Sequence, residues 1–195
     1  MTGDLDDEGT LFSLSNTNIT TDEFVGYIHS KGHIHPTLGS PFGTGLTNHF
    51  TPQFKRLAAF QGDYVFNGTR RFFLQHTSKT QNTWSWLGKR GKSTPVLGAS
   101  DGNEVDIWFP SANSTDFAGV DALINFINTL DPNHSGTKAN ASQTVFWPKW
   151  NTSTSDGSPS HLTFSDPDVV NVTSENFRVD VMQFLLGLLL KEASG

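Results

Sequence analysis

Apolar residues recur at helical spacing in four stretches of the chain. Thr20, Thr21, Asp22 and Glu23 lead into Phe24, Tyr27 and Ile28 at i, i+3 and i+4, which predicts a capped amphipathic helix over 18–31 closed by Gly32. Thr51-Pro52 opens a second helical stretch with Phe54, Leu57, Ala58 and Phe60, continuing through Tyr64, Phe66, Phe72, Phe73 and Leu74 with a break expected at Asn67-Gly68. A third begins at about Asp116, carries Val120, Leu123, Ile124, Ile127 and Leu130, and stops at Asp131-Pro132-Asn133. A last helix from Ser174 is expected to bury Phe177, Val181, Phe184, Leu185, Leu188 and Leu189.

Strand signals are fewer. Thr83-Trp84-Ser85-Trp86-Leu87 is short, aromatic and β-prone, and 162–164 gives a second, weaker signal. Residues 33–48 are rich in Gly and Pro and read as an irregular loop, with a Gly98 turn after Val96-Leu97. The polar stretch 134–161 is interrupted by Phe146-Trp147-Pro148-Lys149-Trp150, the pattern of an anchored surface excursion. One or two strands cannot make a stable sheet, so these helices point to part of a larger α/β structure.

Composition narrows the chemistry. There is no Cys, which excludes disulfides, thiolate nucleophiles and thiolate metal sites. No run approaches the ~20 apolar residues of a membrane-spanning helix. A net charge of -6 argues against a general polyanion binder, but the charge is uneven. The first 23 residues are acidic without a base, whereas 55–92 hold most of the Lys and Arg against the single acid Asp63. The basic and aromatic residues of 55–92 resemble a single-strand nucleic-acid surface. Most of these aromatics sit at core spacing, so the bases are expected on a solvated face or paired with the acidic first segment, and no nucleic-acid partner is expected.

Several short patterns invite a function. Gly98-Ala99-Ser100-Asp101-Gly102 matches the G-x-S-x-G nucleophile elbow, but only Pro95-Val96-Leu97 precedes it, too little for the central strand an elbow requires. Gly91-Lys92-Ser93 lacks the upstream glycine of a phosphate loop, Trp86 standing in its place. His29, His33 and His35 could face a zinc ion, yet the helix ends at Gly32 and no fourth ligand is evident, so no metal is expected. Asp4, Asp6, Asp7 and Glu8 read by composition as a solvated acidic segment, although such crowding also raises carboxyl pKa values and invites a cation or a His partner.

Seven Asn-x-Ser/Thr sites, at Asn18, Asn67, Asn113, Asn133, Asn140, Asn151 and Asn171, are roughly twice the number expected by chance and suggest a secretory history. The first residues, Met-Thr-Gly-Asp-Leu-Asp-Asp-Glu, have neither the basic nor the apolar region of a signal peptide.

The residues from Thr2 to Thr10 resemble the loop that bears the catalytic acid in type-B carboxylesterases and lipases, the fungal lipase-like branch in particular. Later segments are similar to that branch in the same order: Gly39–Gly45, Thr51–Arg56, Gly62-Asp63, Arg70–Leu74, Thr94–Gly98, Leu130–Asn133, Trp147–Lys149 and Asn176–Arg178. Together they cover essentially the whole chain. The resemblance implies an α/β class in which residues 1–195 are the C-terminal part of an α/β-hydrolase domain, mainly helical with one or two strands, and incomplete as an isolated domain.

By the same resemblance Glu8 holds the position of the triad acid, and the family histidine falls at residue 101, where this chain has Asp101. An aspartate side chain ionises near ~3.9 in water and does not shuttle protons near neutrality as an imidazole does, so Asp101 is expected to be non-functional. The nucleophilic serine and the oxyanion glycines precede the acid loop in this family. The expectation is therefore a carboxylic ester hydrolase fragment that is inactive alone, from a secreted family with ester or lipid substrates, without cofactor or membrane span. The competing reading is a non-catalytic, cholinesterase-like binding or adhesion module.

Overall fold

A computed structural model describes residues 1–16, 18–30, 51, 53–111, 114–133, 145–151 and 156–192. Its centre is a four-stranded sheet in the order β1-β2-β3-β4, formed by β1 (Thr2–Leu5), β2 (Ser85–Lys89), β3 (Ser160–Ser165) and β4 (Val169–Ser174). The first three strands are parallel, with Thr2 opposite Ser85 and Trp86 opposite Leu162; β4 returns antiparallel to β3. The α/β class expected from the sequence holds, but the strand count rises from one or two to four among the described residues.

The helices are α1 (Gly9–Phe12), α2 (Thr21–Ser30), α3 (Phe54–Gln61), α4 (Gly68–Thr77), α5 (Val105–Trp108), α6 (Ala118–Thr129) and α7 (Val179–Glu192). The start of α2 is a capping box: Glu23 N–H donates to Thr20 Oγ1, and the Glu23 carboxylate accepts from Thr20 N–H at 2.7 Å. Between α3 and α4 the expected break at Asn67-Gly68 is absent. The chain stays helical through a π-helical segment, Gly62–Asn67.

The described residues form two apolar cores, one between helices and one on the sheet. One joins Phe24 and Ile28 of α2, Leu57 and Phe60 of α3, and Val181 and Leu185 of α7. The other joins Trp84, Ile107 of α5, Ala122 of α6, Trp147, Leu162, Phe164 and Val170. Strand alternation directs Leu162 and Phe164 to this second core and His161 and Thr163 to the opposite face. The excursion at 146–150 is anchored as expected: Trp147 Nε1 donates to Ser85 O at 2.9 Å, and Trp150 N–H to Thr83 O at 2.8 Å.

Two apolar faces differ from expectation. In α6 the buried residues are Gly119 and Ala122, while Ile127 and Leu130 are 69% and 71% exposed. The reason is close approach to α5: a Cβ on Gly119 would lie 2.3 Å from Ile107 O, so only small residues fit that face. Phe177, expected inside the last helix, precedes α7 and is exposed. The loop 33–48, with His33 and His35, lies outside the described residues, as does the His29 side chain.

Candidate active site

In a parallel sheet the loops leaving the carboxyl ends of neighbouring strands meet at one edge, where ligand sites of α/β proteins gather. Here the loop after β1 carries Asp6, Asp7 and Glu8, and the longer excursion after β2 carries Lys92, Gly98 and Asp101. The two are latched together. Asp7 N–H donates to Ala99 O at 3.0 Å, Ala99 N–H donates to the Asp7 carboxylate at 2.9 Å, and Thr10 Oγ1 donates to Leu97 O at 2.7 Å. Lys92 Nζ adds 2.7 Å contacts to Asp6 and Asp7. Gly98 has φ +65°, and a Cβ there would fall 2.2 Å from Asp7 Oδ2, so the latch requires glycine.

Glu8 is not solvated, contrary to the compositional reading of its segment: only 7% of it is exposed, and Asp4 is equally buried. Beside it α1 packs closely on α3, because Gly9 has no Cβ to strike Ala58 O. Glu8 Oε1 accepts the Leu5 N–H at 2.7 Å, which fixes the carboxylate on the end of β1. Its Oε2 is buried without a hydrogen-bond partner. Burial pushes the Glu8 carboxyl up to about 7 against the pull of the Leu5 N–H, with Asp4, Asp101 and Glu104 adding to the rise. A buried carboxylate with one oxygen tied to the main chain and the other unsatisfied is suited to receiving a nitrogen donor and holding it in one orientation.

The loop that bears Asp101 is bonded through Ala99 to Asp7, the residue before Glu8, and the Asp101 charge is among those that raise the Glu8 carboxyl. Asp101 itself is exposed. Ser100 is buried in the turn after Gly98, with no strand entering it, so the elbow reading fails on structure as well as on spacing. Lys92 holds two carboxylates rather than a phosphate cradle. Among the described residues, no group of three acidic or histidine side chains could hold a metal ion. A cavity of about 500 Å³ adjoins the site, bounded by Glu8, Gly9, Phe54, Ala58, Leu97 and Gly98.

A second constellation escaped the sequence reading. Arg70 pairs with Asp4 of the acidic first segment at 2.6 Å, one of the two placements expected for it, but it is buried and also bonds Glu175 at 2.8 Å and Ser85 Oγ at 2.9 Å. Ser85 Oγ lies 3.2 Å from His161 Nδ1, and Trp150 Nε1 donates to Glu175. Serine, histidine and glutamate are thus together, but Ser85 has no exposed surface and takes a bond from a guanidinium. Burial pulls His161 down to about 4, with Glu175 opposing, which leaves the imidazole neutral. This cluster ties α4 and the segment before α7 to the sheet. The alternation of Ser85, His161 and Thr163 on one face was the signal that could have revealed it.

No family model matches the chain. Lipase 4 of Diutina rugosa is 37% identical over 172 residues, covering 80% of this chain. Secreted lipase 1 of Botryotinia fuckeliana is 37% identical over 170 residues, covering 76%. The secreted triacylglycerol lipase LIP1 of Gibberella zeae is 31% identical over 207 residues, covering 95%. The chain belongs to the carboxylesterase/lipase α/β-hydrolases. It spans only 29–34% of the length of these relatives and corresponds to their C-terminal part. Among solved structures, juvenile hormone esterase from Manduca sexta shares the fold over 99% of this chain and 40% of its own, with a TM-score of 0.52 and 11% identity.

Proposed function

We propose that residues 1–195 supply the acid arm of a secreted carboxylic ester hydrolase, with Glu8 as the triad acid and Asp101 in the place of the imidazole. Glu8 carries this reading: it is buried at the carboxyl edge of parallel strands, anchored through Oε1, with Oε2 unsatisfied, and the loop that bears residue 101 is bonded to the neighbouring Asp7 through Ala99. A triad acid orients an imidazole and stabilises its protonated form. The reading takes the substrates to be carboxylic esters or acylglycerols, cleaved in the whole protein through a serine acyl-enzyme. Residues 1–195 by themselves turn over no ester, because Asp101 cannot relay the proton and the attacking serine belongs to the segment before the acid loop.

The test is a chromogenic short-chain ester assay on the purified chain. No turnover above buffer is expected; turnover abolished by Glu8→Gln would refute the proposal. Asp101 equally supports the non-catalytic reading, a binding module that works through its surface. The exposed Ile127, Leu130 and Phe146 favour such a role, and saturable protein binding lost on Phe146→Ser would establish it.

A further inference from the structure

The seven acceptor sequences are not equivalent once folded. Asn113 and Asn140 lie outside the described residues. Asn133 is built into the fold. Its Oδ1 accepts the Trp147 N–H at 2.6 Å, and its Nδ2 donates to Trp147 O at 2.8 Å and to Asp131 Oδ1 at 3.1 Å. Both Nδ2 hydrogens are therefore used, one by the main chain of a core tryptophan and the other by the Asp131 carboxylate. Asn67 lies in the π-helical segment and donates to Gly62 O, and in a helix residues i and i+2 point in different directions.

Asn171 is the opposite case. It sits in β4, the outer strand of the described sheet, and is exposed. Strand geometry puts Asn171 and Thr173 on one face; the Thr173 hydroxyl is bonded to Thr163 Oγ1 at 2.6 Å, while the acceptor amide itself stays exposed. Val169, 47% exposed, shares that face. An outer strand bearing exposed Val invites edge pairing with another chain, and a bulky polar group on it prevents that.

We infer that Asn171 is an N-glycan attachment site that shields the outer edge of β4, and that Asn133 is a structural amide which carries no glycan in the folded protein. In the transfer, Asn171 Nδ2 attacks the anomeric carbon of a lipid-pyrophosphate-linked oligosaccharide. The N–C bond forms, the C–O bond to pyrophosphate breaks, the amide proton passes to base, and the lipid pyrophosphate leaves. The inference is independent of whether Glu8 is a triad acid.

The full chain, secreted from yeast behind an added signal sequence, is deglycosylated enzymatically in heavy-oxygen water and its peptides are mapped. The secreted monomer should be marked at Asn171 and unmarked at Asn133, and Asn171→Gln should increase the aggregated fraction without shifting Tm. A marked Asn133 in the monomer, or a bare Asn171, overturns the inference. If nothing is secreted, a bare Asn171 in the retained material overturns it equally. Unglycosylated Asn133→Gln should melt several degrees below the parent, and an unchanged Tm removes the structural role given to that amide.

Discussion

Replacing Glu8 by Gln should change stability in a way that depends on pH, because the folded protein holds this carboxyl against its preference. Its pKa is about 7 in the fold against 4.5 in water. Below pH 4.5 the group is protonated in both states and costs nothing. Between 4.5 and 7 the unfolded chain ionises while the folded one stays protonated, so stability falls as pH rises, and the full penalty stands above 7. At 1.36 kcal/mol per unit the penalty approaches about 3 kcal/mol. Gln keeps the Oε1 bond to Leu5 and cannot ionise; its Nε2 replaces an oxygen that is itself unpartnered. Urea unfolding of both proteins at pH 5 and pH 8 measures the effect. The stability difference should move in favour of Gln by about 2–3 kcal/mol between the two pH values. Other buried carboxyls, such as Asp63, pushed up to about 6 by burial against Arg178, are common to both proteins and cancel. An unchanged difference between pH 5 and pH 8 would show that Glu8 is not held in this way.

Gly98→Ala should lose about 2–4 kcal/mol in the same unfolding assay, from a left-handed alanine and a displaced Asp7. Arg70→Met leaves Asp4 and Glu175 buried without their shared cation, and should cost about 3–5 kcal/mol by chemical unfolding. Lys92→Met removes contacts to two partly exposed carboxylates and should cost no more than about 1 kcal/mol, an effect that shrinks with added salt.

Where burial followed periodicity, the sequence was readable. The Thr20–Glu23 box and the Phe24, Ile28, Val181 and Leu185 positions all appear where helical spacing puts them. β1 was invisible because Gly3 and Asp4 have poor strand propensity, and what makes the strand is distant: pairing with β2 and the Arg70–Asp4 bridge across the sheet. β4 was given no element, the last helix being started at its final residue Ser174, although Val170 and Val172 alternate correctly for a strand. In α6 the larger apolar residues misled, since the decisive contact favours small ones. For the site, composition suggested a solvated acidic segment, and the resemblance alone singled out Glu8. Its neighbours are held by Gly9 meeting α3 and by Asp7 bonding Ala99, contacts between residues 49 and 92 positions apart that no local pattern encodes.

The account turns on Glu8 being placed to hold an imidazole at residue 101. The most direct measurement is an NMR titration of the imidazole in Asp101→His, with and without Glu8→Gln. The account predicts a pKa raised above the ordinary ~6.5 by about one unit or more when Glu8 is present, returning towards ~6.5 when it is Gln. An imidazole that titrates at its ordinary value in both proteins would contradict it.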